Sequence, residues 1–178
     1  MRITEKKLRD WARRIHRNAC AHGFHDTKKS DDHWLCMVMT EVAEAVEADR
    51  KGKRADVRLF RENSMLNFEE AYKAFIKGGL EEEFADIVIR LLDFAYEKFG
   101  ERMIWIEDCT IGPCRKCSFT ENAWMFLNNV LNSGYMNIAN SIAYIYSWAE
   151  QYDIDLDWHI EAKMRYNESR PIKHGKRY

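Results

Sequence analysis

A buried helix is predicted for residues 80–99, which read LEEEFADIVIRLLDFAYEKF. The segment is apolar almost all round after its first turn, as is typical of a helix in the centre of a protein. At about 100° per residue, its polar exceptions fall within a stripe of roughly 80°; they are Glu83, Asp86, Arg90 and Asp93. A narrow acidic stripe on an otherwise buried helix indicates a functional site, not a solvated surface.

A second acidic motif lies upstream, at Glu41-Val-Ala-Glu44, and matches Glu83-Phe-Ala-Asp86 in form. Each motif places two carboxylates on one helix face, where they repel each other, and burying an unpaired carboxylate is costly. Either motif alone is typical of a solvated helix face. Together they predict a hard divalent cation between two helices, and carboxylate oxygens suit Mg²⁺, with Mn²⁺ as a substitute.

The whole chain, residues 1–178, is predicted to be one all-α domain. It has only two prolines and eight glycines, and no segment alternates with the period of a strand. Capping and glycine signals predict a helical bundle in which the two acidic helices lie antiparallel and face each other. The predicted helices cover residues 4–21, 31–50 (capped by Asp31 or Asp32), 68–77, 80–99, 121–132, 136–152 and 155–169. The pair at 121–152 is additional and precedes the C-terminal helix.

Composition limits the classes of partner. The net charge of -1 gives no general attraction to nucleic acid or to a membrane. No segment has the roughly 20 apolar residues of a membrane span, and the N-terminus has no secretory pattern. The chain has five cysteines, an odd number. We therefore expect reduced thiols and a cytoplasmic location.

The two acidic motifs, their order and their apolar setting resemble the MazG-like, all-α nucleotide pyrophosphohydrolases, a superfamily that includes dimeric dUTPases. Three segments carry the resemblance: MTEVAEAVEADR at 39–50, EEFADIVIRLLD at 82–93, and KMRYNESRP at 163–171. An E-x-x-E followed by E-x-x-D and K-x-x-x-N is far more specific than any one of these motifs. The long segment between Glu44 and Glu83 and the additional helical pair depart from the compact members.

The resemblance implies Mg²⁺-dependent hydrolysis of a nucleoside triphosphate between its α and β phosphates, to a monophosphate and pyrophosphate. It also implies a homo-oligomer, either a dimer or a tetramer. In the family, the acids that match Glu41, Glu44, Glu83 and Asp86 are catalytic and hold the metal. The position of Asp93 would add a ligand or orient water, and residues matching Lys163 and Asn167 contact phosphate.

The basic C-terminal segment is expected to contact phosphate as well. Pro171 ends the last helix, so the chain continues in an extended conformation just beyond Lys163 and Asn167. The candidate phosphate-binding residues there are Arg170, Lys173, His174 and Lys176. A solvated tail is the alternative.

Other groups remain open. Cys109, Cys114 and Cys117 have the spacing of a zinc half-site, but a fourth ligand would have to come from Cys20, His22 or His25. Three ordinary reduced cysteines are the alternative. Phe24 and Trp34 either stack on a nucleobase or pack in the core.

Two other functions compete with hydrolysis. A di-iron carboxylate bundle would use E-x-x-H, and no Glu in the chain has a His three residues later. A non-catalytic, helical nucleotide-binding or regulatory protein could retain the same fold. The sequence identifies neither the base nor the sugar of the nucleotide, and it does not distinguish a triphosphate from a diphosphate substrate.

Overall fold

The computed structural model describes residues 4–102, 112–133 and 138–175, and every regular element in these ranges is helical. Two 3₁₀ turns, Gly100–Arg102 and Ile172–Gly175, follow the fifth and eighth helices. The α-helices are α1 (Glu5–Ala21), α2 (Asp31–Arg50), α3 (Val57–Glu62), α4 (Phe68–Phe75), α5 (Leu80–Phe99), α6 (Phe119–Ser133), α7 (Ile138–Glu150) and α8 (Leu156–Glu168). The all-α prediction is confirmed for the described residues.

Helix ends follow from local signals. α5 begins after Gly79 and ends at Gly100, whose φ of 53° suits a residue without a Cβ atom. α2 begins after Ser30, whose side chain accepts a hydrogen bond from the backbone N–H of His33. Ser30 therefore caps α2, and the expectation that Asp31 or Asp32 does so is wrong; both are already inside the first turn.

The central helix is α5, which packs against α1, α2, α7 and α8. Between Leu80 and Ala95, every side chain is buried except those of Asp86 and Arg90, which are partly exposed. The additional pair of helices covers the core elsewhere, because α6 packs against α2 and α7 packs against α5. The acidic stripe therefore lies on a helix that is enclosed by its neighbours.

A smaller cluster fixes α8 to α4. Tyr72 and Tyr166 stack with their ring centroids 4.4 Å apart and their planes 12° from parallel. Ile76 and Ala162 are buried in the same cluster. This contact holds α8, which carries the third resembling segment, beside the start of α5. Among the helices described, none is long and apolar enough to cross a membrane.

His159 on α8 makes stability depend on pH. Its side chain is 3% exposed, and burial lowers its pKa from 6.5 to about 4. The folded protein thus favours neutral His159, and that stability is present above pH 6.5 and is lost as the pH falls towards 4. Between pH 6.5 and pH 4, we expect the contribution of His159 to lower the free energy of unfolding by on the order of 2–3 kcal/mol.

The measurement compares urea unfolding of the wild type and His159→Gln between pH 7 and pH 4. The stability difference between the two proteins should shift in favour of the variant as the pH falls. A difference that stays constant over this interval would contradict a buried, neutral His159.

Candidate active site

The two acidic motifs line one cavity of about 250 Å³ between α1, α2, α5 and α8. Its wall is strongly charged but not of one sign. The carboxylates are Glu41, Glu44, Glu82, Glu83, Asp86, Asp93 and Glu168, and the cations are Arg14, Lys77, Arg90, Lys163 and Arg170. Apolar side chains, Phe24 among them, complete the wall.

Three of the predicted catalytic acids converge. Carboxylate oxygens of Glu41, Glu83 and Asp86 lie within 4.8 Å of one another. Glu41 comes from α2 and the other two come from α5, so packing of these two helices creates the group. Glu44 is exposed, and it lines the same cavity one turn further along α2.

The acid group is electrostatically strained. Burial, followed by the nearby charges of Asp86 and Glu82, raises the pKa of Glu83 to about 9. Burial also raises the pKa of Asp86, although the ammonium of Lys163 opposes the rise. Carboxyl groups in this condition bind a proton at neutral pH or are neutralised by a cation. The group is therefore suited to holding a metal ion.

Lys163 lies inside the acidic wall. Its Nζ atom is 2.5 Å from Oε1 of Glu82 and 2.6 Å from Oδ2 of Asp86, and its side chain is 8% exposed. Glu82 also accepts hydrogen bonds from the Tyr72 hydroxyl, at 3.2 Å, and from the backbone N–H of Gly78. Lys163 lines the cavity, as expected of a phosphate-binding residue, but its ammonium already has two carboxylate partners.

Arg90 and Glu82 are site residues to which the sequence assigned no role. The Nε atom of Arg90 donates to Oε1 of Glu41 over 2.9 Å, so this acid also has a fixed cationic partner. The position of Arg90 on the acidic stripe was a signal for this contact. No comparable signal distinguished Glu82 from its acidic neighbours.

Asp93 has different partners from those of the other acids. Its Oδ1 atom lies 2.9 Å from Nδ1 of His16 and 3.0 Å from Nε2 of His25. Burial alone would raise the pKa of Asp93, but the hydrogen bonds to the two histidines outweigh it and lower the pKa below the usual value. Asp93 therefore lines the cavity through a carboxylate that two imidazoles already orient.

Besides Lys163, two predicted phosphate-binding residues line the cavity from α8 and the segment after it, Asn167 and Arg170. The Oδ1 atom of Asn167 is buried and has no hydrogen-bond partner among the described residues. An amide with an unsatisfied end at a cavity wall is available to a ligand.

The expectation of an extended chain after Pro171 is wrong, because residues Ile172–Gly175 form a 3₁₀ turn and the segment folds back onto the end of α1. The backbone N–H of Lys173 donates to the carbonyl of His22 over 2.8 Å, and Nε2 of His22 lies 2.8 Å from the carbonyl oxygen of Arg170. His174 belongs to the second 3₁₀ turn, and the prediction for Lys176 lies outside the described residues.

A second cavity, of about 260 Å³, adjoins the first, because Phe24, Glu44 and Arg90 line both. Lys173 and Trp34 contribute to its wall. Trp34 is 6% exposed and stacks on His25 at 4.8 Å between ring centroids, so core packing accounts for most of its surface. Phe24 is the aromatic side chain that reaches both cavities.

The predicted zinc half-site is only partly described, since Cys109 lies outside the described residues. Within those residues, Cys114 and Cys117 join no group of three or more potential metal ligands. Cys20 and His25, named as candidates for the fourth ligand, instead form such a group with His16.

Comparison of the chain with models of protein families, with curated proteins and with solved structures finds no match. The function therefore has to be inferred from the geometry and chemistry of the cavity and from the sequence motifs.

Proposed function

We propose that this chain is a MazG-like, Mg²⁺-dependent nucleoside triphosphate pyrophosphohydrolase that forms a nucleoside monophosphate and pyrophosphate. The observation that carries the proposal is the convergence of Glu41, Glu83 and Asp86 from two helices at a cavity that also contains cations. The proposal includes a cytoplasmic homo-oligomer. Trp124 and Leu131 are seven residues apart on α6 and therefore share one face of that helix. Both are exposed apolar side chains that assembly could cover.

The donor set fits Mg²⁺. All the candidate ligands are carboxylates, namely Glu41, Glu44, Glu83 and Asp86, and hard cations prefer such oxygens. The inner wall also has a charge imbalance, because among the described residues its four acids (Glu41, Glu82, Glu83 and Asp86) share two salt-bridge partners, Arg90 and Lys163. When these groups are ionised, a divalent cation balances the remainder. Bound Mg²⁺ would offset phosphate charge and polarise the phosphorus–oxygen bonds of the substrate.

The protein's own residues would position the triphosphate. Lys163 and Arg90 hold Asp86 and Glu41 in place, so the carboxylates keep one arrangement when the ligand arrives. Arg170, Lys77 and the amide of Asn167 line the cavity and would contact the phosphate oxygens. Phe24 lies where the two cavities meet, so the base would stack there and Lys173 would lie beyond it.

The first test is pyrophosphate release from a panel of ribo- and deoxyribonucleoside triphosphates. We expect release with Mg²⁺ or Mn²⁺ and at least a hundredfold less in excess EDTA, because the acids repel a triphosphate unless a cation lies between them. Full turnover in EDTA would contradict the metal assignment. Binding of nucleotide without any turnover would instead favour a non-catalytic protein that retains the fold.

Removing residues 173–178 should weaken catalysis without unfolding the protein. The deletion removes Lys173 from the second cavity and breaks one backbone hydrogen bond to His22. We expect kcat/KM to fall by roughly 10–100-fold, the cost of losing a charge-assisted contact between Lys173 and the nucleotide, with little change in Tm. Lys116→Ala, at an exposed lysine on a turn before α6, controls for loss of positive charge. Equal kcat/KM for the truncated and full-length proteins would show that the segment is a solvated end.

A further inference from the structure

A second group of metal-ligating side chains surrounds the end of α1. His16 and Cys20 are four residues apart on α1, so they share a helix face. The chain then turns at Gly23, whose φ of 79° favours glycine, and returns His25 to the same place. Glu97 reaches the group from the last turn of α5, four residues after Asp93.

Three pairs of candidate ligand atoms have separations close to those found in a tetrahedral zinc site. Nε2 of His16 lies 3.5 Å from Sγ of Cys20 and 3.8 Å from Oε2 of Glu97, and the latter oxygen lies 3.3 Å from Nδ1 of His25. One ligand atom from each of His16, Cys20 and His25 lies within 4.8 Å of the others. With Zn–N near 2.05 Å and Zn–S near 2.3 Å, neighbouring ligand atoms in a tetrahedral site are about 3.4–3.6 Å apart.

Asp93 orients both imidazoles. It is 5% exposed and bonds to Nδ1 of His16 and to Nε2 of His25. An ionised carboxylate makes each of these nitrogens a donor, so the opposite nitrogen of each ring carries the free electron pair. A carboxylate behind each histidine ligand is the usual arrangement in zinc proteins.

The plainer interpretation is that two histidines simply satisfy a buried Asp93. That role requires one nitrogen of each ring and places no restriction on the other. Both outer nitrogens nevertheless converge with Glu97, and one also lies against the Cys20 thiol. Hydrogen bonding to Asp93 does not explain why the outer nitrogens of both rings also meet Glu97 and Cys20.

We propose that His16, Cys20, His25 and Glu97 bind one Zn²⁺ ion, with Asp93 orienting the two imidazoles. A thiolate and two imidazoles favour Zn²⁺ over Mg²⁺. The cluster of Glu41, Glu83 and Asp86, whose ligands are all carboxylates, favours Mg²⁺ instead. Cys20 is exposed and the Glu97 side chain is 39% exposed, so the ion reaches the site from solvent. The ion would tie the end of α1 and the loop after it to α5, and thereby fix the wall of the cavity that contains Asp93. The site does not depend on the proposed hydrolysis.

The experiment uses the full-length, metal-stripped protein in reducing buffer, titrated with Zn²⁺ and separately with Co²⁺ as a spectroscopic probe. We expect one tight zinc ion per chain, a rise in Tm, and a cobalt spectrum with tetrahedral bands and a thiolate charge-transfer band. Cys20→Ser should abolish that band and weaken zinc binding by more than the 10–100-fold that loss of an orienting partner costs. Cys36→Ser, at another exposed free cysteine, is the matched control and should bind zinc as the wild type does.

Two further variants separate this site from the others. Glu83→Gln should leave zinc binding and the cobalt spectrum unchanged, because Glu83 belongs to the separate cluster of acids that is proposed to bind Mg²⁺. Cys114→Ser/Cys117→Ser should also retain both. If Cys20→Ser binds zinc normally, or if the cobalt band disappears with Cys114 and Cys117 instead, the proposal is wrong.

Discussion

Glu83→Gln is expected to abolish hydrolysis while making the metal-free protein more stable. Glu83 is 5% exposed, and burial together with Asp86 and Glu82 raises its pKa to about 9. Because this folded-state pKa is above the unfolded value of 4.5, the carboxyl group destabilises the fold increasingly as the pH rises from 4.5 towards 9. A neutral amide of the same shape removes that cost, which we expect to be on the order of 2 kcal/mol near pH 7.5.

Thermal and urea unfolding in EDTA at pH 5 and pH 7.5 measure this effect, and the gain should be larger at pH 7.5. Glu81→Gln is the matched control on the same helical turn. Glu81 is equally buried, but its Oε1 accepts from Arg54 at 2.6 Å and its Oε2 accepts from the backbone N–H of Ala55 at 2.8 Å. This variant should lose about 1–3 kcal/mol. Loss of stability in both variants, or retained hydrolysis in Glu83→Gln, would contradict the account of the acid group.

Lys163→Met should cause the largest loss of stability. Its ammonium lies between Glu82 and Asp86 in the interior, and a buried charge left without its partner costs about 3–5 kcal/mol. Methionine keeps much of the length and apolar character of the lysine stem, so lost packing contributes little. Adding Glu82→Gln to Lys163→Met should recover part of the loss, since one of the two stranded carboxylates is then neutral.

Urea unfolding in EDTA, which excludes compensation by metal ions, measures this series. Lys77→Met is the control because Lys77 lines the same cavity, and it should cost under about 1 kcal/mol. Equal losses for Lys163→Met and Lys77→Met would show that Lys163 is not a buried counter-ion.

The helices could be predicted from sequence where local signals are strong. The bounds of α5 match the prediction because glycines flank it and its apolar pattern is nearly continuous. α6 begins at Phe119, two residues before the predicted start. The reason is Ser118, whose backbone N–H and hydroxyl both donate to Glu121 at 2.7 Å. Ser118 and Glu121 have the spacing of a capping box, so the earlier start of α6 has a signal in the sequence.

Which residues meet at the site was harder to predict, because the contacts there join segments that are distant in the sequence. Acidic spacing indicated which side chains share a face of α2 or of α5, but not that Lys163 would bond to Glu82 and Asp86 from far along the chain. The histidine partners of Asp93 come from α1 and the loop after it, and a single histidine carries no periodic signal. The spacing of His16 and Cys20 on α1 could be recognised in the sequence, but the position of His25 beside them depends on the turn at Gly23.

The central claim is that water attacks the α-phosphorus of a nucleoside triphosphate at the carboxylate cavity. Hydrolysis of the preferred nucleotide in ¹⁸O-labelled water, with Mg²⁺ and product analysis by mass spectrometry, tests it most directly. We predict one ¹⁸O atom in the nucleoside monophosphate and none in the pyrophosphate, with Glu83→Gln forming neither product. Label in pyrophosphate would indicate attack at the β-phosphorus, and labelled orthophosphate beside a nucleoside diphosphate would indicate γ-phosphate cleavage; either result would contradict the proposed function.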